Sequence, residues 1–275
     1  MNLKPIRTIP LRGSLGALLA TLILGTAAPA EPPTRQEGTG TIRGQFVWDG
    51  NDAPKLPPLI EKGDSSKKDA NVCAVETLVD RSLVVDPESK GVRYAFVYLV
   101  SPSGTNAEKV EQLLEDHPEV EIDQKNCEFL PYCTPIHQDQ KLIFKSSDPV
   151  AHNVRYQGFT NPAQNIQLQP NGQLEANLVA ERRPMPLKCD IHPWMSGWIM
   201  VFDHPYFAVT DEQGNFEIRG VPEGEQNLVI WQERVGYVTP GAAKGLAVPV
   251  QAGMVTTVGP IKIEPARVRD LPTAN

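Results

Sequence analysis

The segment Cys189-Asp190-Ile191-His192-Pro193-Trp194-Met195 offers a thiolate, an imidazole and a thioether within seven residues. Upstream, Ser147-Asp148-Pro149-Val150-Ala151-His152-Asn153-Val154 adds a second imidazole. Two nitrogens, a thiolate and a weak thioether form the ligand set of a blue-copper electron-transfer centre. Structural zinc takes four strong ligands and is poorly served by a thioether. The expected metal is therefore one copper ion, type 1, bound by His152, Cys189, His192 and Met195. A copper-dependent oxidase needs an open coordination position, which Met195 would fill. The sequence carries no nucleophile motif, phosphate loop or usable carboxylate pair, so the chain is expected not to be an enzyme.

These side chains need particular elements to bring them together. A cysteine and a histidine at i and i+3, with a methionine three further on, cannot all face one way along a strand. They can converge from a tight loop between two antiparallel strands, and Met185–Lys188 and Trp198–Phe202 supply those strands. His152 lies far enough upstream for the chain to run out along two strands and return to the same end. Asn153 is placed to tie the two ligand loops together. Pro193 stiffens the loop after His192.

The rest of the chain reads as short strands broken by Gly, Pro and Asn turns, which predicts an all-β sandwich. One helix is expected, capped by Asn106, with Val110, Leu113, Leu114 and His117 on one face and Pro118 at its end. Its acidic face (Glu108, Glu111, Glu115, Asp116) reads first as a solvated surface and second as a docking patch. Asp52 to Asp69, rich in Pro and Lys, reads as a long surface loop. From His204 a second sandwich is expected, opened by a hairpin over Phe207–Ile218 about the turn Asp211–Asn215. The expected organisation is a signal peptide at 1–30 and a flexible lead-in at 31–39. A copper-binding sandwich with an N-terminal extension follows at 40–203, then a small sandwich at 204–264 and a disordered tail at 265–275.

Lys4, Arg7 and Arg12 precede an apolar stretch that is short for a membrane span, and Ala28-Pro29-Ala30 resembles a cleavage signal. Export to the periplasm or beyond is expected, with an uncleaved N-terminal anchor as the alternative. Loss of those three cations would lower the net charge from −7 to −10. An acidic chain is poorly suited to nucleic acid or anionic lipid. Of the four cysteines, Cys189 is assigned to metal and at most one pair forms among Cys73, Cys127 and Cys133. Cys73–Cys127 is favoured and Cys73–Cys133 stays open. His117, His137 and His204 read as surface or turn residues. Arg182, Arg183 and Lys188 put positive charge near the ligand loop, as a solvated rim or as a docking surface for an acidic partner.

The segments Ala151-His152-Asn153-Val154 and Cys189–Met195 together resemble the cupredoxins, of the amicyanin and plastocyanin kind. The resemblance covers roughly residues 140 to 203. It implies a Greek-key sandwich with one type 1 copper, and one-electron transfer with larger redox proteins such as a c-type cytochrome or a dehydrogenase. It also implies that His192, Pro193 and Trp194 form the face where electrons leave. Phe207–Trp231 resembles the carboxypeptidase regulatory-like, or transthyretin-like, sandwich, through Thr210, Gly214, Phe216, Pro222 and Gly224. Such modules serve packing or binding. The alternative reading is a β-module that stores copper or is stabilised by it without redox cycling.

Overall fold

The computed structural model describes residues 38–270. The expected signal peptide, most of the lead-in and the last five residues lie outside the described residues. Among the described residues no helix is long and apolar enough to cross a membrane. The fold is all-β, with strands arranged in facing sheets over apolar cores.

One sandwich holds the candidate ligands. Its larger sheet runs Gln164–Leu168, His152–Tyr156, Met185–Lys188, Ser196–Phe202, Cys133–His137. Its smaller sheet runs Gln173–Ala176, Lys141–Ser146, Glu119–Lys125, Glu128–Leu130. The alternation of these strands turns Ile122, Phe129, Leu142, Phe144, Val154 and Ile199 inward, each at most 1% exposed. The alternate positions turn to the other faces of the two sheets, where Met200 and Phe202 are buried against the second sandwich.

The second sandwich is not confined to residues 204–264. Thr39–Trp48 runs between Asn215–Pro222, to which it is antiparallel, and Val255–Ile263, to which it is parallel. Phe96–Leu99 lies between Phe207–Val209 and Gly224–Gln232. The segments expected as an extension of the copper-binding sandwich thus complete the other one. Ile42, Phe46, Trp48, Val97 and Leu99 fill its core together with Phe216, Ile218, Leu228 and Ile230. Without them the C-terminal strands would leave those apolar faces in water.

The expected hairpin over Phe207–Ile218 is also not formed, because its two arms join different sheets. The turn between them survives: Gly214 has φ +74°, and a side chain there would strike the Phe46 carbonyl, which lies 2.1 Å from the position of a Cβ. Nor is the C-terminal stretch irregular from 265. Pro265–Arg267 forms a 3₁₀ turn, and Val268 is buried against the core. Thr39, placed in the lead-in by sequence, already belongs to the first strand.

The helix forms at Ala107–Asp116, and the Asn106 side chain accepts a hydrogen bond from Lys109 N, as its cap. The loop after Asp52 is largely exposed but pinned by Ile60, which bridges to Leu78 and packs into the ligand-bearing core. A short helix that the sequence did not announce, Ala70–Cys73, follows it. A third apolar cluster joins the two sandwiches, with Tyr132, Met200 and Phe202 against Phe96, Tyr98 and Trp231.

Candidate metal centre

The loop Cys189–Met195 closes on itself. Met195 N donates to His192 O at 2.9 Å, and Cys189 N to Met195 O at 3.4 Å. The ladder that pairs Lys188 with Ser196 holds its two ends side by side. His152 opens the neighbouring strand, where Arg155 pairs with Lys188. Two loops separated by 37 residues therefore meet at one end of the sheet.

Three donor atoms converge there. The Nδ1 atoms of His152 and His192 are 2.9 Å apart, and each is 4.0 Å from Cys189 Sγ. Both imidazoles are fully buried, and Cys189 is 2% exposed. Met195, 1% exposed, packs in the core beside Cys189 and lines the wall below the loop with Trp194.

The outer nitrogen of each imidazole meets a carboxylate. His152 Nε2 lies 2.9 Å from Asp148 Oδ2, and His192 Nε2 lies 2.9 Å from Asp69 Oδ2. An ionised carboxylate only accepts, so each Nε2 carries the proton. Both Nδ1 lone pairs then face each other and the sulfur, an arrangement that needs a cation in the middle. Histidine backed by a carboxylate in this way is the usual support of a metal-bound imidazole. The donor set fits a soft metal ion.

Without metal, a proton plays the cation. Burial drives the Cys189 thiol upward, but hydrogen bonds from His152 and His192 outweigh it and bring the pKa down to about 6. Burial drives His152 downward, yet Asp148 and the Cys189 sulfur raise it to about 9. The pair is thus held as thiolate and imidazolium. For Asp148, burial works toward a higher pKa, but the bond from His152 and the N–H groups of Cys127 and Asn126 lower it.

Asn153 ties the loops as its position suggested. Its Oδ1 accepts from Asp190 N at 2.6 Å and Ile191 N at 3.3 Å, and its backbone N points at Cys189 Sγ at 3.5 Å. Pro193 is exposed at the turn of the loop. Cys73 and Cys127 are joined by a disulfide, while Cys133 is free and buried.

Neither a family model nor a curated relative matches the chain. Among solved structures, a reduced mutant of amicyanin aligns at 14% identity over 38% of this chain and 98% of that one, with a TM-score of 0.28. A purple cupredoxin from Nitrosopumilus maritimus aligns at 19% identity over 30% and 98%, at 0.26. A copper-containing nitrite reductase (NirK) from Thermus scotoductus SA-01 aligns at 18% identity over 30% of this chain, which spans only 22% of that chain, at 0.28.

Some site expectations fail. His192 does not offer an edge to solvent. Asp69 caps its outer nitrogen, and the Trp194 ring sits 5.2 Å away. His137 and His204 are not surface residues; they are 2% and 6% exposed. His204 donates to or accepts from its neighbours as a core residue, with Nε2 3.0 Å from Leu99 O and its ring stacked near Tyr206. Asp69 and Asp148 were missed. Asp148 left a faint signal, since it sits four residues before His152 and is followed by a proline. Asp69 is 123 residues from its partner and left none.

Proposed function

We propose that the chain is an exported type 1 copper protein that carries one electron between redox partners, and that it is a carrier rather than an enzyme. His152, Cys189, His192 and Met195 would hold the ion, and bound copper would supply a reversible Cu(I)/Cu(II) couple tuned by the weak thioether. The observation that carries this reading is the buried triangle of two Nδ1 atoms and one sulfur, with both outer nitrogens committed to carboxylates. Burial on all sides keeps water from the donors and suits a centre that changes charge without changing its ligands. The second sandwich contributes packing to the first through the shared aromatic cluster and would serve as a scaffold.

Copper(II) added to the metal-free protein should produce an intense blue thiolate-to-copper band at one ion per chain. Cys189→Ser should abolish it, and a Ser variant that stays blue would refute the assignment. Reversible cycling in voltammetry separates a carrier from a copper store, which would not cycle.

A further inference from the structure

If copper sits between His152, Cys189 and His192, the way out for an electron is not at His192. That imidazole is fully buried, with Asp69 on its outer nitrogen and the Trp194 ring 5.2 Å away. The part of the larger sheet's outer face that the second sandwich leaves uncovered offers a different exit. Lys188 directly precedes Cys189, and the ladder sets it opposite Arg155 on one side and Ser196 on the other. Pro186 faces Trp198 one step along. Directly opposed residues share a face, so Arg155, Lys188, Pro186 and Trp198 form one outward surface.

That surface is concave and mixed in character. A cleft of about 500 Å³ is walled by Phe159, Met185, Pro186, Trp198 and Trp231, with Arg183 beside them. A smaller cleft of about 270 Å³ continues it past Gln157 and Pro186 to Arg155 and Lys188. Phe159, 67% exposed, is the most exposed large hydrophobic among the described residues, and the Arg182 guanidinium lies 5.3 Å over its ring. An apolar patch with a polar rim on a soluble protein marks an interaction surface.

The charges on this face decide the kind of partner. Of the nearby acids, Asp190 is neutralised by Arg155 at 2.7 Å. Glu233 accepts from the Trp198 indole at 2.8 Å and from the Tyr132 hydroxyl. Glu181 accepts from the backbone of Phe159, Thr160 and Asn161. Arg182, Arg183 and Lys188 form no salt bridge among the described residues, although Lys188 acts through space on the Glu233 carboxylate. A cationic face on a chain of net charge −7 steers an anionic partner to this side and away from the rest.

We propose that the electron partner of the copper protein docks in the Trp198 cleft, between Phe159 and Lys188, and that it presents an anionic protein surface with an apolar centre. Trp198 stands in the strand that leaves the ligand loop, three residues after Met195, and Lys188 is bonded to Cys189, so the docked partner meets chain that leads directly to two of the ligands. This proposal rests on the copper reading above.

Hexacyanochromate(III), a redox-inert paramagnetic trianion, tests the face on the metal-free full chain. It should broaden the amide signals of Gln157, Phe159, Arg183 and Lys188 before those of Ile191 and Trp194. The double variant Arg183→Glu/Lys188→Glu should lose that broadening. In the copper-loaded, reduced protein, the same variant should be oxidised by hexacyanoferrate(III) at least about tenfold more slowly at low salt, with the visible band unchanged. Broadening centred on Ile191 and Trp194, or on the loop around Asp69, would overturn the proposal, and so would an unchanged oxidation rate in a variant that is still blue. Absence of the blue band from the unaltered chain would instead overturn the copper reading, and the electron partner with it.

Discussion

At the residue scale, the centre depends on two carboxylates as much as on its donors. Asp148 fixes the tautomer of His152 and adds to the basicity of its inner nitrogen. Asp148→Asn should keep the fold at some cost in stability, because Asn126 N donates to Oδ1 and Cys127 N to Oδ2, and a single amide oxygen replaces only one of those two acceptors. Copper should nevertheless bind about 10- to 100-fold more weakly, as read by competition with a chromophoric chelator. An unchanged affinity would mean that the carboxylate only braces the turn. Proton competition follows from the same pair. With Cys189 lowered to about 6 and His152 raised to about 9, the metal must displace one proton between those values. Apparent affinity should fall about tenfold for each unit of pH lost in that window, and more steeply below it, where the thiol is also protonated. Titrations at three pH values check the slope, and a flat profile would contradict the thiolate–imidazolium pair.

At the scale of elements, one cross-link braces both imidazoles. Cys127 stands in the two-residue turn between Glu119–Lys125 and Glu128–Leu130, with Asn126 and Cys127 both at positive φ. Two such residues suit the tight hairpin turn. Asp148, the support of His152, accepts from both their N–H groups. Cys73 ends the short helix that Asp69, the support of His192, precedes. The disulfide therefore joins the mounting of one imidazole to that of the other. Cys73→Ala with Cys127→Ala should lower stability by about 4 kcal/mol in the chain-entropy model and weaken copper binding as well. Denaturant titration and metal competition measure the two effects. Loss of stability with full copper affinity would confine the bridge to a general structural role. The sequence disclosed much of this scale. Asn106 announced its helix, and the two strands flanking Cys189–Met195 followed from the need to make ligands converge. Its limit was sequence distance. Asp69 and the Ala70–Cys73 turn carry no periodicity, and their importance comes only from what lies across the fold.

At the scale of the whole molecule, the two sandwiches are interlaced along the chain. The pattern of short strands did not disclose the partners of Thr39–Trp48, because either sandwich could have used its apolar face. The partners became definite only where Ile42 and Phe46 meet Phe216 and Ile218. A resemblance confined to Phe207–Trp231 drew the boundary too late for the same reason: it described a piece of a sandwich whose central strand arrives from 160 residues upstream. The consequence is measurable. Residues 204–270 expressed alone should lack a cooperative unfolding transition, since they omit Thr39–Trp48 and Phe96–Leu99, whereas residues 38–270 should keep one. Within the full chain, Phe46→Ala should cost about 3–5 kcal/mol, although Phe46 belongs to the core opposite the candidate metal centre. If the isolated C-terminal piece folded with native-like stability, the strands from the N-terminal part would be accessories to a self-sufficient module. The buried positions of Phe46, Val97 and Leu99, each at most 1% exposed, argue against that, because removing their strands would bare the facing side chains of Leu228 and Ile230 to water.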